Sequence, residues 1–157
     1  MKIGIIVYSD TGNTLSVAEK IRKRLSSSGH EVVIERIEIE GKLRDIQGAK
    51  EVVFTKSPDI GEYDYLIFGS FVMAFMLNAV MKAYMKRLGS LSGKKFAVLI
   101  TQGFWYPWLG GNSAVNWIRR SCESKGATFL GSGIVNWMRK DREEQIVNVV
   151  EKISSLF

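Results

Sequence analysis

The sequence predicts an α/β sandwich: a parallel β-sheet with a layer of helices on each face. Two observations carry that expectation. Short, nearly continuous apolar runs occur at residues 3–8, 65–68 and 96–100, as strands covered on both faces require. Between them the hydrophobic period changes to that of a helix, and strands alternating with helices build a parallel sheet with crossovers on both faces. With 157 residues, the chain suits one domain spanning residues 1–157, large enough to bury a core without disulfides or metals.

The elements follow in order. Ile3, Ile5, Ile6 and Val7 open the first strand. Thr14, Val17, Ala18, Ile21 and Leu25 then form one helical stripe, with Glu19, Lys20, Arg22, Lys23 and Arg24 on the other face. Gly29 is a natural stop. Residues 32–39 return to β-type side chains mixed with Glu35, Arg36 and Glu38, the pattern of an edge strand. Residues 41–59 read as loop with one short helix near 43–47. After the second buried strand at 65–68, Met76, Leu77, Val80, Ala83, Tyr84 and Leu88 recur at helical spacing. The third buried strand, 96–100, leads into a glycine- and aromatic-rich loop, a helix over about 113–124, and a strand over 128–135 weakened by Gly131 and Gly133. Ile146, Val149, Val150, Ile153, Leu156 and Phe157 mark a closing amphipathic helix.

Composition excludes several classes of function. No run approaches the ~20 apolar residues of a membrane helix, and the first residues lack the layout of a secretory signal. The single cysteine, Cys122, has no C-x-x-C partner and lies on a helical stripe with Ala114, Val115 and Ile118, so it reads as a buried structural thiol. The lone histidine, His30, follows Gly29 and reads as a turn residue in solvent. A reduced, cytoplasmic setting is expected, without a metal site or a Cys/His nucleophile. The net charge of +6 concerns partners and not fold.

In a doubly wound sheet, ligands bind beyond the carboxyl ends of the strands, where the strand order reverses. Three loops lie there. The first, Ser9-Asp10-Thr11-Gly12-Asn13-Thr14, joins a buried strand to an amphipathic helix. It has the chemistry of a phosphate cradle: free amides and a positive dipole at a helix start, three hydroxyls, and a glycine that allows close approach. It contains no Lys or Arg, so neutral donors would carry the anion. The second loop follows Gly69 and reads Ser70-Phe71-Val72-Met73-Ala74-Phe75. Its stretch from Phe71 to Ala74 has no glycine, which makes a positive-φ turn costly there. The third, Thr101-Gln102-Gly103-Phe104-Trp105-Tyr106-Pro107-Trp108-Leu109-Gly110-Gly111, holds four aromatics between glycines. Either a flat apolar ring stacks there, or the loop is an aromatic patch for a protein partner.

The first loop, followed by Val17, Ala18 and Ile21, resembles the phosphate loop of the flavodoxin family. The segment Tyr65-Leu66-Ile67-Phe68-Gly69-Ser70 is similar to that family's third strand, and the resemblance covers nearly the whole chain. It implies a flavodoxin-like three-layer sandwich with five parallel strands in the order 2-1-3-4-5. It also implies one flavin mononucleotide, FMN, held by residues 9–14 at the phosphate. Ser70, Phe71, Val72, Met73, Ala74 and Phe75, with Thr101, Gln102, Gly103 and one of Trp105 or Tyr106, would meet the ring. The nucleoside-triphosphate pattern G-x-x-x-x-G-K-[ST] and the dinucleotide pattern G-x-G-x-x-G are both absent.

The function this implies is electron transfer, the flavin supplying the redox chemistry and no catalytic acid or base being required. Two other readings stand beside it: an FMN-dependent NAD(P)H reductase of quinones or other small acceptors, and a cofactor-free interaction module of the same fold. A phospho-acceptor domain is disfavoured because the third strand ends in Gly69-Ser70 and not in an aspartate. Where the basic residues surround the flavin edge, they would suit an acidic redox protein partner, such as a ferredoxin, or an anionic small molecule; an ordinary solvated surface is the alternative. Nucleic acid is disfavoured, since the basic residues are interleaved with acids and form no tract.

Overall fold

The computed structural model describes residues 2–46 and 51–157. Five parallel strands make the body of the sheet: β1 (Lys2–Val7), β2 (Glu31–Arg36), β5 (Tyr65–Met73), β7 (Lys95–Gln102) and β8 (Thr128–Asn136), in the order β2-β1-β5-β7-β8. This is the expected order 2-1-3-4-5 among the principal strands. Four helices connect and cover them: α1 (Asn13–Ser27), α2 (Ala79–Arg87), α3 (Gly111–Ser124) and α4 (Arg142–Ser154).

The period-2 alternation of the central strands sorts their side chains onto two cores. Ile3, Ile5, Val7, Ile67, Ala97 and Leu99 face α1 and α4, packing on Val17, Ile21, Val149 and Ile153. Ile6, Leu66, Phe68, Phe96, Val98 and Ile100 face α2 and α3, packing on Val80, Tyr84, Ile118 and Cys122. Both faces of β1, β5 and β7 are therefore dry, which accounts for their unbroken apolar runs.

Several details differ from the sequence expectation. Strands outnumber the five expected. β3 (Glu38–Ile39) pairs antiparallel with β4 (Phe54–Lys56) in a separate ribbon, and β6 (Met76–Leu77) pairs antiparallel with β5. The edge segment 32–39 splits into β2 and β3 because Ile37, between them, turns into the α2/α3 core. Met76 and Leu77, expected on a helix, form β6. The helix starts at Ala79, where the Asn78 side chain accepts from the Met81 amide and caps it. The third crossover helix starts at Gly111, two residues earlier than expected. The short helix near 43–47 is a 3₁₀ turn over Leu43–Asp45, and Gln47 lies outside the described residues.

Candidate functional site

The strand order reverses between β1 and β5: β1 turns one way to β2, while the chain continues on its other side through β5, β7 and β8. Crevices in open α/β sheets form at this point. A cleft of about 250 Å³ lies there, lined by Ser9, Asp10, Thr11, Asn13 and Thr14 of the first loop, Phe71 and Val72 of the second, Thr101, Gln102 and Gly103 of the third, and Trp137 and Met138. Three loops that begin at Ser9 and end at Gly103 in the sequence thus meet at one cleft, as expected.

The first loop owes its shape to Gly12, which takes φ 92°, ψ −4° as the residue before α1. The Ser9 hydroxyl oxygen accepts from the amides of Gly12 (3.2 Å) and Leu15 (3.4 Å), and the Ser16 amide donates to the Gly12 carbonyl. The amides of Thr11, Asn13 and Thr14 have no protein acceptor among the described residues, and a helix's first turn cannot supply one. Thr11 and Asp10 are exposed, whereas Thr14 is buried. The Thr14 hydroxyl lies 3.3 Å from the Ser70 carbonyl and 2.8 Å from the Thr101 hydroxyl. Of the loop's hydroxyls, that of Thr11 is the one left to face solvent.

The second loop is largely strand. β5 runs on to Met73 and folds back through a two-residue turn onto β6, with Met73 opposite Met76. A two-residue hairpin of this kind needs left-handed backbone at both turn positions to match the strand twist. Ala74 (φ 51°) and Phe75 (φ 64°) accordingly adopt it although neither is glycine. Phe71 stacks on Tyr8 with ring centroids 5.6 Å apart. Burial, with the Asp10 carboxylate nearby, pushes the Tyr8 phenol up to about 12. Ser70 faces the interior, its hydroxyl donating to the Tyr8 carbonyl and accepting from the Asn78 amide group. Met73, Ala74 and Phe75 sit on the hairpin outside the cleft lining.

The third loop is bound to its neighbours on both sides. Gly110, at φ 120°, packs so tightly on the hairpin that a Cβ there would lie 2.7 Å from Val72 Cγ1 and 2.8 Å from the Phe75 carbonyl carbon. On the other side runs a chain of amide bonds. The Gln102 side chain donates to the Tyr106 carbonyl (2.5 Å) and to Asn136 Oδ1 (2.6 Å). Asn136 donates to Gln145 Oε1 (3.0 Å), and Gln145 donates to Asp141 (2.8 Å). A carboxylate only accepts, so Asp141 sets the polarity of every amide back to Gln102. The Asp141 carboxyl is held below its usual value, first by its hydrogen bond from Arg139 and then by Gln145. Gln102 Oε1 is left buried without a partner at the start of α3, where the helix dipole favours negative charge.

The aromatics of this loop do not enter the cleft. Phe104 stacks on Phe75 (4.5 Å, 8°) and Tyr106 on Trp108 (4.4 Å, 5°). Trp105 and Tyr106 lie beside Met138 and Arg139 in a neighbouring depression. Together with Phe75, Phe104, Trp108 and Met138 they form an exposed apolar rim. Trp137 and Met138 line the cleft without having been singled out in the sequence. Their position directly after the last strand was the available signal, since that strand's carboxyl end belongs to the same crevice.

No cation lines the cleft. Its first-loop end offers unpaired amides at a helix start, suited to a phosphate, and its other walls offer Phe71, Val72, Trp137 and Met138, suited to a flat apolar ring. Among the described residues no cluster of His, Cys, Asp or Glu fit to hold a metal occurs, and no helix is long and apolar enough to cross a membrane.

Comparison with known proteins agrees with this geometry. The chain is 28% identical to a flavodoxin from Megasphaera elsdenii over 142 residues, 90% of this chain and 91% of the relative. Its fold is similar to that of oxidised Flavodoxin 1 from Bacillus cereus, with a TM-score of 0.71 at 20% identity over 99% and 96% of the two chains. The azoreductase AzrA matches with a TM-score of 0.69 at 17% identity, covering both chains completely. The Flavodoxin family profile matches residues 5–148, most of the chain, and the chain therefore belongs to the flavodoxin family.

Proposed function

We propose that this protein binds one FMN in the cleft between the three loops and serves as an electron carrier. Membership in the family supports an FMN-binding electron-transfer role. The observation that carries the residue-level reading is the set of unpaired first-turn amides of α1 beside an apolar slot at the β1/β5 switch point. Thr11, Asn13 and Thr14 hold the phosphate through their amides, aided by the Thr11 hydroxyl. Gly12 supplies the turn, and Ser9 braces it. Asp10, Phe71, Val72, Thr101, Gln102, Gly103, Trp137 and Met138 surround the rest of the ligand. Ser70 acts from the interior by holding Tyr8 and Asn78 in place. Met73, Ala74, Phe75, Trp105 and Tyr106 contribute from the rim.

When bound, FMN supplies the redox chemistry; the protein supplies orientation and a partly open, apolar surround. The exposed aromatic rim gives electrons a route to a docked partner without passing through the core. Among the described residues Asp10 is the one titratable side chain lining the cleft, and electron transfer requires no acid–base group there.

Titration with FMN and riboflavin, followed by visible absorption, tests the site. FMN binding much tighter than riboflavin binding is expected, and equal affinities would remove the phosphate assignment. Steady-state NAD(P)H oxidation by the loaded protein tests the carrier role. Near-inert behaviour is expected, and sustained turnover with a quinone or azo acceptor would establish the reductase reading. A cytoplasmic location is part of the same proposal, resting on the single, buried thiol.

A further inference from the structure

A second, larger cleft of about 900 Å³ runs between α2 and α3, away from the three loops. Its walls include Lys86 on α2, Asn116, Trp117, Arg120 and Ser121 on α3, and Lys125 just beyond α3. Lys82, one turn before Lys86, lies 5.8 Å from the Trp117 ring centroid and 3.6 Å from Met76 Sδ, so the groove's upper end adjoins the hairpin beside the first cleft.

The charge of this face is distinctive. The interleaving of bases with acids expected from the sequence fails over residues 65–122, which hold no Asp or Glu but Lys82, Lys86, Arg87, Lys94, Lys95, Arg119 and Arg120, of which Lys86 and Arg120 line the groove. These seven cations exceed the net charge of +6, so the rest of the chain is close to neutral. Several helix charges are paired: Arg22 with Glu19, Arg24 with Glu151, Arg142 with Glu143 and, on α3 itself, Arg119 with Glu123. Among the described residues Lys82, Lys86, Arg120 and Lys125 have no carboxylate partner. The same acid-free stretch supplies Phe75, Met76, Phe104, Trp105 and Trp108, which are all exposed.

We propose that the α2–α3 groove is the docking face for an acidic protein partner, whose carboxylates engage Lys86, Arg120 and Lys125 and whose edge reaches the aromatic rim of the first cleft. That the partner is a redox protein rests on the electron-transfer reading; that it is acidic rests on the groove alone. Complementary charge steers encounter and fixes orientation. A partly exposed Trp flanked by Arg is the residue pair in which binding energy concentrates at protein interfaces. Steering here should fade at physiological salt, where screening acts over about 8 Å.

The test uses a plant-type [2Fe–2S] ferredoxin as the acidic probe, with its affinity measured for FMN-loaded and FMN-free protein at low and physiological salt. Lys86→Glu combined with Arg120→Glu should weaken binding by about tenfold or more, and the matching Gln variants by less. Both side chains are exposed, so the fold should tolerate either pair. Lys20→Glu combined with Lys23→Glu, on the exposed face of α1, changes net charge equally and should have little effect. FMN affinity should be the same in all variants. Equal losses in the α1 control, no loss in the groove variants, or no ferredoxin binding by the unaltered protein would overturn the proposal. So would tighter binding of a short DNA duplex through Lys86 and Arg120. Failure to take up FMN while ferredoxin still docks through these residues would remove the flavin reading and leave the docking face standing.

Discussion

The hydroxyl groups of Thr14 and Thr101 lie 2.8 Å apart although 87 residues separate them in sequence. Both side chains are buried, and the contact ties the first turn of α1 to the carboxyl end of β7 across the Ser70 carbonyl of β5. The two threonines of the first loop therefore have separable roles. Thr101→Val should cost about 1–3 kcal/mol in urea unfolding, because it leaves a buried hydroxyl with a poorer partner. The Thr14→Val/Thr101→Val double variant should cost clearly less than the sum of the two singles. Thr11→Ala, at an exposed position, should leave the urea midpoint unchanged while weakening FMN by about 1.5–3 kcal/mol and riboflavin by much less.

Two glycines should respond to the same substitution by different amounts. Gly12 needs a positive φ but has open space around its Cα. Gly12→Ala should therefore cost only the left-handed strain of about 1–2 kcal/mol. Gly110 has the same conformational need and also abuts Val72 and the Phe75 backbone. Gly110→Ala should cost at least about 1–3 kcal/mol more from overpacking. Chemical denaturation of the two variants side by side checks the order. Equal losses would mean that the third loop yields to the hairpin without resistance.

The hairpin turn stores strain that a single substitution should release. Ala74 sits at φ 51° with no side-chain function in the cleft lining. Ala74→Gly should raise stability by about 0.5–1 kcal/mol, the gain in turn conformation being partly offset by the added freedom of the unfolded chain. A lower urea midpoint in this variant would show that the turn is not left-handed in solution.

The Cys122 thiol is fully buried in the α2/α3 core, and burial pushes its pKa up to about 12. A thiol in this state should resist aromatic disulfide reagents at pH 8 in the native protein and react once per chain in denaturant. The folded pKa lies above the unfolded one of ~8.5. The stabilisation is therefore complete below that value and is lost as pH rises from there through about 12. Cys122→Ala should flatten the alkaline arm of the stability profile over that window, while creating a small cavity that lowers stability at all pH values.

The strand and helix layers were legible because burial on both faces leaves an unambiguous trace in sequence. β1, β5 and β7 read as apolar runs since their stretches Ile3–Val7, Leu66–Ser70 and Phe96–Gln102 are buried, and α1 read correctly since one helical stripe serves one core. The first loop was legible for a local reason as well. A glycine preceding a helix start, among hydroxyls, has its chemistry within six residues. What local pattern hid was the second loop. Met76 and Leu77 fit a helical stripe with Val80, yet they pair with Met73 and Val72, because a two-residue turn at Ala74 and Phe75 returns the chain onto β5. No glycine announced that turn; the neighbouring Gly110 backbone and the Phe75–Phe104 stack hold it in place.

Composition and periodicity alone thus determined the layered α/β order and the place where a ligand could enter, whereas the order of strands around the sheet followed from the family resemblance. Tertiary structure decided which side chains face that place. Thr14 turned inward because β7 brings Thr101 beneath it, and Trp137 and Met138 arrived because β8 ends next to β7. The third-loop aromatics stayed on the rim because Gln102 is drawn to Asn136 and the chain to Asp141 instead. The division has one physical cause: burial pattern is written in neighbours along the chain, whereas the direction of a loop side chain is set by partners that the sheet brings from elsewhere in the sequence.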